Sequence, residues 1–137
     1  MTKAREIVTT TEAPGAIGPY SQAVRIENLV YTSGQIAIDP RTGQFVDGDI
    51  AVQTELVLKN LKAILEAGGS SMASVIKTVI FLKDMNDFST VNEIYGRYFS
   101  SSYPARSCVA VESLPKGAKI EVEAVALIDN GSQSYIY

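Results

Sequence analysis

The stretch SVIKTVIFL (Ser74–Leu82) decides the fold class, because it is apolar and β-branched at nearly every position. Such a run predicts a strand that is covered on both of its faces. Strands are also predicted before and after it. They are Arg5–Thr10, a hairpin of Val24–Ile26 and Leu29–Ser33 turning at Glu27-Asn28, Ser107–Glu112 and Lys119–Ile128.

Two helices are predicted between these strands. The first, Asp49–Ala67, repeats leucine at helical spacing, with Asp49 as its N-cap and Gly68-Gly69 as its stop. The second is predicted over about residues 86–99, with Asn86 or Asp87 as its cap and an apolar stripe along one side.

The order β, β, β, α, β, α, β, β indicates an α+β domain with one sheet and both helices on one face. The stretch SLPKGA, residues 113–118, is interpreted as a turn that pairs the last two strands as a hairpin. The other sheet face keeps apolar positions that no helix remains to cover: Val79, Phe81, Val109, Val125 and Leu127. We therefore expect a closed homo-oligomer whose partner subunits cover them.

Composition narrows the classes of function. The 137 residues predict one domain, 1–137, with about 129–137 as a C-terminal tail. The net charge of −3 and the lack of a basic run argue against nucleic-acid binding. No signal peptide or membrane span is apparent, and a single cysteine favours the reducing cytoplasm. The absence of histidine excludes Ser-His-Asp and Cys-His catalysis and HExxH zinc sites.

The stretch YPARSCVAV, residues 103–111, contains the first candidate for chemistry. Arg106 and Cys108 have the same parity, so on a strand they point to the same face. A guanidinium is suited to clamp a carboxylate with two parallel hydrogen bonds. The alternative is a structural salt bridge from Arg106 to Glu121 or Glu123.

Cys108 and Glu121 each have two interpretations. A lone buried cysteine behaves as a small apolar residue, whereas a thiol beside Arg106 could be a reactive thiolate. In the predicted hairpin Glu121 faces Ala110, from where its carboxylate could hold a water near Arg106. Otherwise Glu121 lines a solvated face.

Tyr20 and Ser33-Gly34 are the remaining polar candidates from the residues alone. Tyr20 closes the Pro/Gly loop APGAIGPYSQA, and Gly34 follows a strand, where a glycine lets a ligand approach the backbone. Taken singly, ordinary turn chemistry is the favoured interpretation of each of them.

Six stretches together resemble the RidA/YjgF family of reactive-intermediate deaminases, in family order from about Thr10 to Ile128. They are APGAIGPYSQA, YTSGQIAIDPRTGQ, NLKAILEAGG, VIKTVIFLKDMNDFSTVNEIY, YPARSCVAV and LPKGAKIEVEAVA. The resemblance implies a chorismate-mutase-like α+β fold. It also implies a homotrimer with an inner barrel of sheets and active sites between neighbouring subunits.

The activity that the resemblance implies is hydrolysis of enamine and imine intermediates, such as 2-aminoacrylate, to 2-keto acids and ammonia. Pyridoxal-phosphate dehydratases release these intermediates, and the cofactor is theirs; this protein is expected to need none. By resemblance Arg106 binds the substrate carboxylate, Glu121 positions the attacking water and Cys108 lines the site. The other residues implied around the ligand are Tyr20, Ser33, Gly34, Asn92 and Phe88.

Two further functions remain open at this point. One is a regulatory module that binds 2-keto acids without turnover, using the same Arg106 pocket. The other is a ribonuclease or translation inhibitor, against which the missing histidines and the acidic balance argue.

Overall fold

The computed structural model describes residues 4–99 and 102–129, so most of the predicted tail lies outside the described residues. The strands and helices follow the predicted order. Their bounds are β1 Glu6–Val8, β2 Ala23–Ile26, β3 Leu29–Thr32, α1 Ile50–Ala67, β4 Val75–Leu82, α2 Phe88–Tyr98, β5 Ala105–Ala110 and β6 Ile120–Leu127. Within the described residues, no helix is long and apolar enough to cross a membrane.

The strands form one mixed sheet in the order β1-β2-β3-β6-β4-β5. β4 runs parallel to β5, and every other neighbouring pair is antiparallel. The predicted hairpin of β2 and β3 is confirmed, and Glu27 takes a positive φ of 51° in its turn. The α+β prediction, a mixed sheet with two helices, is therefore confirmed.

The predicted pairing of the last two strands is wrong. β4 lies between β5 and β6, so that Arg106 pairs with Thr78 and Glu121 pairs with Phe81. The chain after β5 passes the end of β4, where Val111 N–H donates to the Leu82 carbonyl oxygen. β4 is apolar on both faces, and in the observed order it has a hydrogen-bonded neighbour along each edge. If β5 and β6 paired with each other instead, β4 would not have both of them as neighbours.

The core fills the space between α1, α2 and one sheet face. Its largest fully buried side chains include Leu58, Leu61 and Leu65 on α1 and Ile80, Ile120 and Val122 on the sheet. The Asp49 cap is confirmed, since its carboxylate accepts from Val52 N–H at 2.9 Å. The second cap differs: Asp87 precedes α2 without a side-chain cap bond, and Asp84 instead accepts from Asn86 N–H at 2.9 Å.

Within residues 4–99 and 102–129, no helix lies over the opposite sheet face. Val79, Phe81 and Val125 are half-buried, while Val109 and Leu127 are 44% and 40% exposed. The prediction of an apolar face left without a helix is confirmed at all five positions. Both helices pack on the same side of β4, so cover for its other face stays a prediction that depends on the oligomer.

Candidate active site

Arg106 extends from β5 toward the face that carries the helices. Its Nη1 donates to Asn92 Oδ1 at 2.7 Å, and its Cζ lies 4.9 Å from the centre of the Tyr95 ring and 5.4 Å from that of Phe88. None of the carboxylates among the described residues lies within 4 Å of this guanidinium. The interpretation of Arg106 as a salt-bridge partner of Glu121 or Glu123 is therefore wrong for the described chain.

Helix α2 supplies the partners of Arg106. Phe88, Asn92 and Tyr95 follow each other at helical spacing, so they lie on one side of α2. A cavity of about 370 Å³ opens beside Asn92 and Tyr95 and is also lined by Pro104 and Arg106. Asn92 occupies one of five guanidinium N–H groups, and the others suit a carboxylate in this cavity.

Cys108 lies on the same side of β5 as Arg106 and packs against the core. Burial raises the pKa of its thiol, and the opposing charge of Arg106 is the smaller effect. The hypothesis that the guanidinium yields a thiolate is therefore not supported. At neutral pH the side chain is therefore a protonated thiol.

Glu121 lines a second cavity, of about 490 Å³, on the other side of the sheet. Tyr20, Ser33 and Gly34 line the same cavity, together with Lys116. Burial raises the pKa of the half-buried Glu121 carboxyl, and the neighbouring charge of Glu123 adds to the rise. A carboxylate with a raised pKa is a better proton acceptor for a bound water than an ordinary surface glutamate.

The backbone of Gly34 makes room for the Glu121 carboxyl. A Cβ on residue 34 would overlap Oε2 of Glu121 and lie 2.7 Å from its Cδ. Paired hydrogen bonds between Gln35 and Val122, of 2.9 and 3.1 Å, hold this segment beside β6. The predicted close approach at Gly34 exists, but the approaching group is a carboxylate of the protein itself.

Tyr20 and Ser33 also line the Glu121 cavity. Ser33 Oγ donates to the Ser21 carbonyl at 2.5 Å, which fixes the hydroxyl against the loop. Tyr20 is 49% exposed, and its hydroxyl accepts from Ile17 N–H at 3.4 Å. The buried amide of Gln22 ties down the start of this loop through bonds to Thr10 and Pro14.

The predicted residues thus fall into two groups on opposite sides of the sheet. We call the predicted Phe88, Asn92 and Arg106, together with Tyr95, the arginine half-site, and the predicted Tyr20, Ser33, Gly34 and Glu121 the glutamate half-site. Arg106 pairs with Thr78 on the helix-covered face, whereas Glu121 pairs with Phe81 on the open face. A single chain therefore does not bring Arg106 and Glu121 into one site.

Comparison with known proteins identifies the family. The model of the family described as Endoribonuclease L-PSP matches residues 10–128. A human 2-iminobutanoate/2-iminopropanoate deaminase is 52% identical over 123 residues, which are 90% of each chain. The protein belongs to the RidA/YjgF family.

Solved structures agree with this membership. A protein of the Rid family from Yersinia pestis is 47% identical, with a TM-score of 0.89 over 91% of this chain and 100% of its own. E. coli TdcF with bound serine is 46% identical, with a TM-score of 0.85 over 89% of this chain and 98% of its own. The chain therefore spans nearly the whole length of these RidA relatives.

Two residues beside the predicted groups, Tyr95 and Lys116, were not predicted from the sequence as site residues. The spacing of Tyr95 from Phe88 and Asn92, which places all three on the same side of α2, is the signal that could have found it. Lys116 was assigned to a turn, yet it lines the Glu121 cavity and has a positive φ of 59°. No sequence signal predicts that conformation, because a left-handed lysine is uncommon.

Proposed function

We propose that the protein is a 2-iminobutanoate/2-iminopropanoate deaminase. One observation carries the proposal: Arg106 is fixed beside an open cavity by neutral groups, with no described carboxylate of the chain on it. A guanidinium in this state offers its charge to an external acid. The names of the mammalian relatives, at about half identity, support the same substrate class.

We further propose that the working form is a homotrimer with a chorismate-mutase-like fold. Its sheets would form an inner barrel, so that the open face with Val109 and Leu127 becomes buried between subunits. The arginine half-site of one subunit would then meet the glutamate half-site of the next. This arrangement explains why each chain carries both half-sites but separates them.

The proposed reaction is hydrolysis of an imine. Arg106 binds the carboxylate of the 2-imino acid and fixes its C2 atom. Glu121 accepts a proton from a water as the water oxygen bonds to C2, while the C=N electron pair moves to the nitrogen of the protonated imine, which gives a carbinolamine. The Glu121 carboxyl then passes its proton to this nitrogen, the C–N bond breaks and the nitrogen leaves as ammonia, while the hydroxyl loses its proton to the Glu121 carboxylate and becomes the carbonyl of the 2-keto acid.

The proposed source of substrate is the class of pyridoxal-phosphate dehydratases that release enamines such as 2-aminoacrylate. These tautomerise to the imines on which this protein would act, in the cytoplasm. The cofactor belongs to the supplying enzyme. Cys108, Tyr20, Ser33, Asn92 and Phe88 would shape the pocket around the small acid, without a covalent intermediate.

A coupled assay tests this proposal. A serine or threonine dehydratase generates the imine, and lactate dehydrogenase reports the keto acid, at a mildly alkaline pH where imine hydrolysis limits the rate. We expect acceleration by the wild type and none by Arg106→Ala. Arg97→Ala is the matched control, because Arg97 is an exposed arginine on α2 that pairs with Glu55. No acceleration, with keto acids still bound, would instead indicate a binding module without turnover.

A further inference from the structure

Below the guanidinium of Arg106 lies a buried pair of hydroxyl groups. Tyr95 is 4% exposed and Thr78 is fully buried, and their hydroxyls are hydrogen bonded at 2.8 Å. The Tyr95 ring also packs on Phe99, with 4.4 Å between ring centres. We propose that Tyr95 and Thr78 are positioning residues that set the orientation of Arg106, an inference that rests on the proposed function.

Thr78, Tyr95 and Arg106 form a closed circuit of contacts, in which each residue touches the other two. Thr78 is the residue of β4 that pairs directly with Arg106 of β5. The Thr78 hydroxyl holds the Tyr95 hydroxyl, and the Tyr95 ring in turn lies 4.9 Å from the Arg106 guanidinium carbon. The strand that fixes the backbone of Arg106 therefore also fixes the ring on which its side chain lies.

The circuit restrains Arg106 without using up its charge. An arginine side chain loses considerable rotamer freedom when it binds a ligand, and holding it beforehand reduces that cost. A carboxylate partner would also hold it, but would compete with the substrate. A ring face attracts the cation while leaving the edge N–H groups free.

Fold stability alone does not account for the hydroxyl pair. Replacing both partners of a buried hydrogen bond with apolar groups of the same shape is often nearly neutral for stability. Phenylalanine and valine would preserve the packing at positions 95 and 78. The hydrogen bond between the two hydroxyls instead fixes the tilt of the Tyr95 ring under Arg106.

The test uses Tyr95→Phe, Thr78→Val and the double variant. Tyr98→Phe is the control, because Tyr98 is a half-buried tyrosine on the same helix whose hydroxyl binds Glu55 instead. We expect each single variant to raise the Kd for 2-oxobutanoate and the KM about fivefold, the size of one hydrogen bond, with kcat little changed. The double variant should match the singles in Kd and recover the wild-type Tm.

Two further measurements separate positioning from packing. In an Arg106→Lys background, Tyr95→Phe should have no further effect on Kd, because the planar guanidinium is gone. An equal effect in both backgrounds would overturn the inference. The heteronuclear NOE of the Arg106 Nε–H group should fall in Tyr95→Phe and not in Tyr98→Phe. An unchanged NOE would also overturn it, even if the wild type proved not to be a deaminase.

Discussion

The carboxyl group of Glu121 occupies the space that a Cβ on Gly34 would take. The contact joins β6 to the segment after β3, and it explains why this position accepts only glycine while Glu121 stays where it is. A side chain at position 34 would therefore displace the Glu121 carboxyl.

The first prediction concerns Gly34→Ala. The added methyl group should push the Glu121 carboxyl aside and lower kcat/KM roughly a hundredfold, as expected for a misplaced catalytic group. Gly15→Ala is the control, because Gly15 lines the same cavity and a Cβ there would meet nothing within 4 Å. Equal activity of the two variants in the coupled assay would show that the Glu121 position is unimportant.

The second prediction concerns Glu121→Gln. Without a carboxylate to accept a proton, kcat should fall about a hundredfold or more. Since burial raises the Glu121 pKa, wild-type turnover should be lost as pH falls through a value above that of an ordinary glutamate. A pH–rate profile of kcat, measured on preformed imine, checks this; a flat profile across that range would contradict it.

The same pKa shift makes a prediction for stability. Between the unfolded and the folded pKa of Glu121, the folded state holds a proton that the unfolded state has released, so stability falls as pH rises through this window. Glu121→Gln should therefore unfold at a higher temperature than the wild type at pH 8, with a smaller difference in acid. Thermal unfolding of both proteins at pH 8 and in acid tests this. If Glu121→Gln were less stable than the wild type at pH 8, the negative charge of Glu121 would have to be compensated in the folded state, which would contradict the prediction.

The third prediction concerns Cys108→Ala. Because burial keeps this thiol protonated, the variant should retain most of the wild-type activity, and iodoacetamide should modify Cys108 slowly at neutral pH. Near-total loss of turnover would restore the interpretation of Cys108 as a nucleophile.

The fourth prediction concerns the open sheet face. Val109→Glu should dissociate the trimer and abolish turnover, because it places a charge where subunits are proposed to meet. Val52→Glu is the control, since Val52 is 46% exposed against 44% for Val109 but lies on α1. Light scattering reports the mass; a wild type that is monomeric, or a trimer that survives Val109→Glu, would contradict the proposed assembly.

The strands and helices were predicted well from the sequence, whereas the pairing of strands within the sheet was predicted less well. The β-branched run of β4 and the leucine spacing of α1 are local patterns, and both were confirmed. The β5–β6 hairpin failed because strand order depends on which long-range pairing satisfies the edges of β4, and no local pattern encodes that choice. The error had a functional consequence, since it placed Glu121 beside Arg106 in one chain.

The site residues show the same limit. Parity correctly placed Arg106 and Cys108 on one side of β5, because side chains alternate within a strand. Parity does not relate residues on different strands, so the separation of Arg106 from Glu121 became visible only with the register of β4. The resemblance to the family indicated which residues belong to the candidate site. The structure shows that these residues lie in two groups on opposite sides of the sheet.

Complementation between two inactive subunits tests the central claim most directly. Arg106→Ala and Glu121→Gln chains with different tags are co-expressed, and trimers that carry both tags are purified. Every mixed trimer contains one interface with an intact Arg106 facing an intact Glu121, so we predict about a third of wild-type turnover. Mixed trimers as inactive as either parent would contradict a site shared between subunits.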